Sequence, residues 1–332
     1  MEELPILSEP KVNDGLGDVV VGPAAWGADR RLMGYFACVG ILSLACSGPL
    51  VALGRYALKR DIHSYILLIP LVSLYLASLK YVCLPRNRRG SATYAVVGSL
   101  IFAIAAVGLF FGPSLAGATA LSQSATMAQT AFCYVLLLVA GGFAFLGAGW
   151  MRLLAFPFAL LVFMVPLPDI ILMYFEDLLM RASVGLTHVL FQLAGTPVLR
   201  NGQVVELPGM TLEVARNCSG IRSSLVLLIT SLIASYLFLK STWHRSILMA
   251  MVIPLGIFRN AIRVLVIGLL CVRIGPHMID SWIHHHGGPL FFAISLAPLF
   301  LTAAWLRLCE TRAARAQNKT DSVPADSKHQ VP

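Results

Sequence analysis

Residues 213–224 read Glu213-Val-Ala-Arg-Asn-Cys218-Ser-Gly-Ile-Arg-Ser-Ser224, and the rest of the chain is organised around this stretch. It joins a polar, strand-like segment to a long apolar helix, and Cys218 lies at the junction between Arg216 and Arg222. A helix N-terminus and nearby guanidinium groups both favour the thiolate, which is the reactive form of cysteine. The position therefore indicates a nucleophile at Cys218.

The alternative is a cysteine that packs as a small hydrophobic side chain. The chain has seven cysteines, and most of them lie inside apolar runs, where this role is the ordinary one. Cys46-Ser-Gly48 repeats the same tripeptide in the middle of such a run. The tripeptide alone therefore does not decide between the two interpretations, and the flanking arginines carry the case for a nucleophile.

The composition is that of a polytopic membrane protein. Of the 332 residues, 58% are hydrophobic and 12% are charged, and the mean hydropathy is +0.78. A soluble domain carries about 25% charged residues, roughly twice as many. The net charge of +9 comes mostly from basic residues in short loops and the C-terminal tail, a distribution typical of membrane topology rather than of nucleic-acid binding.

The hydropathy pattern predicts an all-α helical bundle, since a membrane-spanning helix needs about 20 apolar residues. We predict a cytoplasmic flexible tail over residues 1–31, a transmembrane domain over 32–306 and a disordered cytoplasmic tail over 307–332. The apolar runs that predict spans are 33–54, 64–84, 92–112, 130–150, 153–168, 219–239, 246–270 and 288–306.

The loops between these spans predict the topology. Basic clusters at 85–89 and 240–245, together with the C-terminal tail, belong on the cytoplasmic side, whereas the loop 113–128 has no Lys or Arg and belongs outside. The basic loop 55–60 disagrees with this assignment, but the others agree. Both termini are therefore predicted to be cytoplasmic, and the segment before Cys218 is predicted to face outward.

Two segments before Cys218 differ from the spans. Residues 169–194 are apolar but interrupted by charges, which predicts an amphipathic helix lying on the outer surface or packed against the bundle. Residues 196–215 contain two turn dipeptides, Asn201-Gly202 and Pro208-Gly209, which separate short strand-like segments. The pattern predicts a small β-meander on the outer face, immediately before the cysteine.

Polar side chains in the later spans are predicted to converge on the same leaflet. Arg259, Asn260 and Arg263 interrupt the apolar run 246–270, and the two arginines share a helix face because they are four residues apart. Charged residues inside a span are costly and usually functional, although arginines can also snorkel to the interface or pair structurally. The histidines of 284–286 precede the last span at its outer end.

A thiol, an imidazole and a guanidinium at one face predict covalent catalysis, with histidine activating the cysteine and arginine stabilising an oxyanion. A triple histidine can instead form an interfacial or metal-binding cluster. The His-Glu-x-x-His pattern of zinc proteases is not in the sequence, and the cysteines lack zinc-site spacing. No metal or cofactor is therefore predicted.

From about residue 60 to 306 the chain resembles the exosortase/archaeosortase family of membrane-embedded cysteine transpeptidases. The resemblance includes His63-Ser-Tyr-Ile-Leu-Leu-Ile-Pro70, Phe163-Met-Val-Pro-Leu-Pro168 and Leu207-Pro-Gly. Its specific parts are Cys218-Ser-Gly-Ile-Arg222, Asn260-Ala-Ile-Arg263 and a His-x-x-x-Gly followed by Phe, which His284 and Gly288 satisfy. The chain departs from the family at Arg216-Asn217, where an acidic and a small residue are frequent.

The resemblance implies the site and its activity. The family's nucleophile, arginine and histidine fall on Cys218, Arg263 and His284, and its motifs add supporting positions at Asn260, Arg222 and Gly288. Glu213, at the start of the stretch that contains Cys218, is a further supporting position. It also implies substrates that are secreted proteins ending in a short motif, a membrane helix and a basic cluster. Cleavage at the motif, by way of a thioester, would pass the protein to an amine acceptor at the outer face of a bacterial cytoplasmic membrane.

Two other interpretations remain open from the residues. In a non-enzymatic transporter or polysaccharide-export component, the arginines and histidines would line a substrate path, but no internal repeat is visible and the polar residues gather at one surface. In a structural role, Cys218 would form a disulfide with Cys271, since both are predicted near the outer face.

Overall fold

The chain folds as a helical protein with one small sheet, which confirms the predicted all-α membrane class. The computed structural model describes residues 30–59, 61–80, 92–118, 123–208, 210–213, 221–275, 277–278 and 287–321. The predicted N-terminal tail up to residue 29 lies outside this part of the chain, as does the end of the C-terminal tail from residue 322.

The described elements follow one another as twelve α-helices, two 3-10 turns and three strands. The helices are α1 (Arg30–Ala45), α2 (Ser47–Lys59), α3 (Ile69–Lys80), α4 (Ala92–Ala118), α5 (Gln123–Phe145), α6 (Gly147–Leu153), α7 (Ala155–Leu160), α8 (Asp169–Leu193), α9 (Ile221–Phe238), α10 (Thr242–Ala250), α11 (Val252–Arg273) and α12 (Gly288–Asp321). The 3-10 turns are Asp61–Leu67 and Leu161–Met164, and the strands are β1 (Leu199–Asn201), β2 (Val204–Leu207) and β3 (Met210–Glu213).

Four segments in the described residues are long and apolar enough to cross a membrane, or up to six if two bent helix pairs each count as one span. The four are Ser124–Phe145, Ile221–Phe238, Thr242–Arg273 and Gly288–Gln317. The pairs are α1–α2, bent by 76°, and α6 with α7 and the following turn, bent by 66°. Eight continuous spans were predicted, and the described part of the chain shows fewer.

The breaks have a local cause in the sequence. Pro49 and Pro157 lie in the first turns of α2 and α7. Proline is tolerated there because its missing N–H would have no partner in the helix, but in the interior of a longer helix it would break the hydrogen-bond pattern. Gly147, with φ of +79°, separates α5 from α6. The predicted span 130–150 is therefore interrupted. Hydropathy predicts which residues lie in lipid, but it does not predict where the backbone changes direction.

The chain divides into two compact units. The first comprises Met1–Arg60 and Ser64–Pro166, and the second comprises Asp61–His63 and Leu167–Pro332. In the first unit α4 packs along α5, and α3 packs on α7 and its 3-10 turn. The Ser73 hydroxyl donates to the Pro157 carbonyl at 2.8 Å, which joins α3 to the first turn of α7.

In the second unit, α8 and the sheet pack against α11. The sheet has the order β1-β2-β3 with both pairs antiparallel, as the predicted meander requires. Val205 and Leu207 on β2 share a core with Met180 and Phe191 of α8. The Gln203 amide donates to Asp177 at 3.2 Å, so the first hairpin lies along α8. The segment 169–193 is thus a helix packed against the bundle, one of its two predicted arrangements.

The first hairpin turn is displaced by one residue from its predicted position. Asn201 pairs with Val204 across the strands, so the two-residue turn consists of Gly202 and Gln203 rather than Asn201 and Gly202. Hairpin turns of this length need a positive φ at their first central residue, and Gly202 supplies it with φ of +63°. The need for glycine at that place therefore sets the register.

Helices α9 to α12 form the remaining bundle, and a carboxylate joins their ends. Leu227 and Leu239 of α9, Leu248 of α10 and Leu299 of α12 share one buried core. At the end of α9, the Glu310 carboxylate accepts the backbone N–H groups of Lys240 at 2.9 Å and Ser241 at 2.8 Å, and lies 2.9 Å from His244 Nδ1. Glu310 thus caps α10 from another helix, since Ser241 makes no capping bond of its own.

We expect Glu310→Ala to destabilise the protein by about 1–3 kcal/mol, because it removes a charged acceptor from two backbone donors. The measurement is thermal unfolding of the purified protein in detergent, together with protease cleavage of the α9–α10 connection. Arg312→Ala, an exposed change two residues later on α12, is the matched control. An unfolding midpoint of Glu310→Ala equal to that of the control would contradict the capping role.

The last helix is longer than predicted. α12 continues to Asp321, so residues 307–321 of the predicted disordered tail are helical. Leu306 is buried in the bundle core and Glu310 is held by its bonds, which anchors the helix well past the predicted end of the last span. The alanines and arginines that follow are strong helix formers, so the helix continues beyond its last packed residue.

Candidate active site

The predicted site residues fall unevenly on the described structure. Cys218 and His284 lie outside the described residues, in the segments 214–220 and 279–286. Glu213 ends β3, where it pairs with Val204. The remaining predicted residues lie on helices: Arg222 is exposed in the first turn of α9, Asn260 and Arg263 lie in α11, and Gly288 begins α12.

The first turn of α9 makes a close contact with α11. A Cβ atom on Gly256 would lie 2.8 Å from the Ser224 hydroxyl oxygen, so the two helices approach each other closely at this glycine. At the same place, Arg259 Nη2 donates to Ser224 Oγ at 3.2 Å. This contact joins the middle of α11 to the turn that follows Cys218 in the chain.

The two helices run in opposite directions, which determines what lies beside the start of α9. Three residues follow Phe238 at the end of α9 before the chain turns back into α10 and α11, which together form the single apolar segment Thr242–Arg273. Ser224, near the other end of α9, contacts Gly256 and Arg259 in this segment. One more turn along α11, about 6 Å, brings residues 260–263 to the level of Ile221, the first residue of α9. Asn260 and Arg263 therefore lie beside the N-terminal end of α9.

Helix α12 begins at this same end. Its residues Leu299 and Leu306 share a core with Leu227 and Leu239 of α9, and Glu310 bonds to Lys240, so the two helices run in the same direction. Phe291 is as far from Glu310 along the chain as Ile221 is from Lys240. The first turn of α12, which follows the three histidines in sequence, is therefore about level with the first turn of α9.

The sheet contacts α11 just beyond Arg263. A Cβ atom on Gly268 would lie 2.5 Å from the Phe191 ring and 3.1 Å from the Leu207 side chain, so a glycine is required where α8 and β2 meet α11. Val264, the residue after Arg263, lies in the same core cluster. β3 pairs with β2 and ends at Glu213, five residues before Cys218 in the chain.

The polar side chains of α11 are unusually buried. Arg259 is 7% exposed and Asn260 is 2% exposed, whereas Arg263 is only partly buried. Arg259 was considered in the sequence but not placed among the predicted site residues, and the structure shows it to be the more deeply buried arginine. Its spacing of four residues from Arg263 was the available signal. A guanidinium in this position keeps its charge and can bind only acceptors.

Two alternatives can be compared with the described residues. Cys271, the partner considered from the sequence for a disulfide with Cys218, is a free, buried thiol in α11. No group of three or more His, Cys, Asp or Glu side chains is arranged to hold a metal ion within the described ranges. The described polar groups at this end of the bundle include the guanidinium groups of Arg259 and Arg263 and the amide of Asn260.

A comparison with known protein families covers most of the chain. The family model described as transmembrane exosortase (Exosortase_EpsH) matches residues 58–301, well over half of the chain. No curated protein and no solved structure was found to match. The match runs from the end of α2 into α12 and includes all of α9 and α11, so the chain belongs to the transmembrane exosortase family.

Proposed function

We propose that the protein is a membrane-embedded cysteine protease and transpeptidase that removes the C-terminal sorting signal of secreted proteins. The observation that carries the proposal is the arrangement of α9, α11 and α12 in an exosortase chain. The starts of α9 and α12 and the Asn260–Arg263 turn of α11 lie at one end of the bundle. Cys218 and His284 directly precede those two starts in the sequence.

Each residue has a chemical role in the proposed reaction. The Cys218 thiolate attacks the carbonyl carbon of the scissile peptide, and the carbonyl oxygen takes up negative charge opposite Arg263. The C–N bond then breaks, and His284 gives a proton to the leaving amine as a thioester forms at Cys218. An amine acceptor attacks the thioester, loses a proton and frees the thiol. Arg222 and the start of α9 favour the thiolate.

The proposed substrate follows from the membrane location of the site. A secreted protein anchored by its own C-terminal helix holds a short motif at the surface of the bilayer. We place the site at the outer face of a bacterial cytoplasmic membrane, where such a motif emerges. The lipid bilayer confines enzyme and substrate to one layer, which raises the rate at which they meet, and the reaction needs no cofactor.

The experiment that tests the function is co-expression with a secreted reporter ending in a motif, a membrane helix and a basic cluster taken from the same genome. Mass spectrometry of the reporter should show a new C-terminus at the motif and an amine acceptor joined to it. Transport activity without any processed reporter would favour the transporter interpretation instead.

The same assay identifies the histidine. We expect His284→Ala to lose processing, because the proton for the leaving amine comes from this side chain, whereas His285→Ala and His286→Ala should retain most activity. The two neighbouring variants are matched controls for the local sequence and for membrane insertion. Loss of activity in His286→Ala alone would shift the acid–base role by two residues.

A further inference from the structure

The Asn260 side chain has a buried donor with no partner among the residues that the structure describes. Asn260 is 2% exposed, and its Nδ2 atom makes no hydrogen bond to any of them. Buried polar groups are nearly always hydrogen-bonded, and the exceptions in folded proteins often have a functional explanation. An unpaired buried donor costs stability, and an acceptor brought by a bound ligand would recover that cost.

The position of Asn260 places this donor beside the proposed reaction. Gly256, Asn260 and Arg263 share a face of α11 because they are four and three residues apart. Gly256 contacts Ser224 in the first turn of α9, and Asn260 lies one turn further on, between that contact and Arg263. It is therefore level with the start of α9.

The chemistry of Nδ2 narrows what it binds. An amide nitrogen and a guanidinium are both donors, so Nδ2 cannot orient Arg259 or Arg263 by bonding to them. The group it accommodates must be an acceptor, and a peptide carbonyl is the acceptor that the proposed substrate brings. A transmembrane helix offers few free backbone N–H groups to do this.

We propose that Asn260 is a catalytic residue whose Nδ2 donates a hydrogen bond to the carbonyl oxygen of the scissile peptide, together with Arg263. The inference rests on the proposed cysteine chemistry. No bond to Asn260 forms or breaks: the carbonyl oxygen becomes an alkoxide when the thiolate attacks and a carbonyl again when the amine leaves. The Nδ2 bond is strongest while the oxygen is charged, which lowers the barrier rather than tightening substrate binding.

The test uses Asn260→Leu, which has a similar volume and no donor, and Asn260→Asp, which keeps the oxygen and removes the amide. We expect kcat to fall about 10²- to 10³-fold in both variants with KM nearly unchanged. The thermal midpoint of Asn260→Leu should be equal to or higher than that of the wild type, because an unpaired buried donor has been removed. A structural role predicts the opposite, a lower midpoint with KM and kcat both impaired.

The control is Ser183→Ala on α8, which removes another buried polar atom without a hydrogen-bond partner. It should leave the kinetics unchanged. The alkylation rate of Cys218 should be the same in Asn260→Leu as in the wild type. A slower alkylation rate would show that Asn260 Nδ2 stabilises the Cys218 thiolate rather than the carbonyl oxygen, which would overturn the proposal.

Capture of the thioester separates this inference from the proposed function. A hydroxylamine-sensitive substrate adduct on Cys218 in the wild-type protein tests the function alone. If the wild type forms no adduct, the cysteine mechanism fails. If the wild type forms it and Asn260→Leu forms it at the same rate, the mechanism stands and the role of Asn260 is overturned.

Discussion

Replacing Cys218 by alanine should abolish processing of a co-expressed substrate, while the protein still inserts into the membrane at its normal level. The thiolate is the group that forms the thioester, and no other side chain in the proposed mechanism can replace it. Loss of the nucleophile of a serine protease costs on the order of 10⁶ in rate, and an effect of that size here is a complete loss in a cellular assay. Cys218→Ser should be inactive as well, because a hydroxyl is a much weaker nucleophile at neutral pH.

Cys46→Ala is the matched control, because Cys46 begins the same Cys-Ser-Gly tripeptide but lies at the break between α1 and α2. It should process substrate normally. Cys271→Ala tests the alternative in which Cys218 forms a disulfide with Cys271. We expect normal activity in this variant, because Cys271 is a free thiol in α11. Cleaved reporter in cells that carry only Cys218→Ala would refute the nucleophile.

Arg263→Lys is expected to lose about 10²- to 10³-fold in turnover, or about 3–4 kcal/mol of transition-state stabilisation. Lysine keeps the positive charge but loses the planar, forked donors, so it cannot hold an oxyanion in the same geometry. Substrate binding should remain, because the interaction that is lost belongs mainly to the transition state. The measurement compares photocrosslinking of substrate with its rate of cleavage in the same membranes.

Arg273→Lys at the exposed end of α11 is the control for a general effect of arginine replacement in this helix. Loss of crosslinking in Arg263→Lys equal to the loss of turnover would make Arg263 a residue that holds the substrate or the fold. Near-normal turnover would remove it from the mechanism.

Local features of the sequence determined the class of the protein and the positions of its motifs. Composition alone identifies a membrane protein, because charged residues are excluded from lipid wherever the chain spans it. The meander was also predictable, since Gly202 and Pro208-Gly209 are turn residues for reasons within the backbone. The assignment of Cys218, Arg263 and His284 combined their positions in the predicted spans with the motif resemblance, and for all three it remains a prediction.

Only the tertiary structure decided how the helices end and which polar groups are buried. Glu310 caps α10 although it is seventy residues away in the sequence, and α12 continues beyond its apolar residues. Arg259 is more buried than Arg263. The unpartnered amide of Asn260 is also visible only in the structure, because the sequence around an asparagine is the same whether or not its amide is hydrogen-bonded. Hydropathy and spacing describe a residue's own helix, whereas these features depend on which neighbour packs against it and at what level.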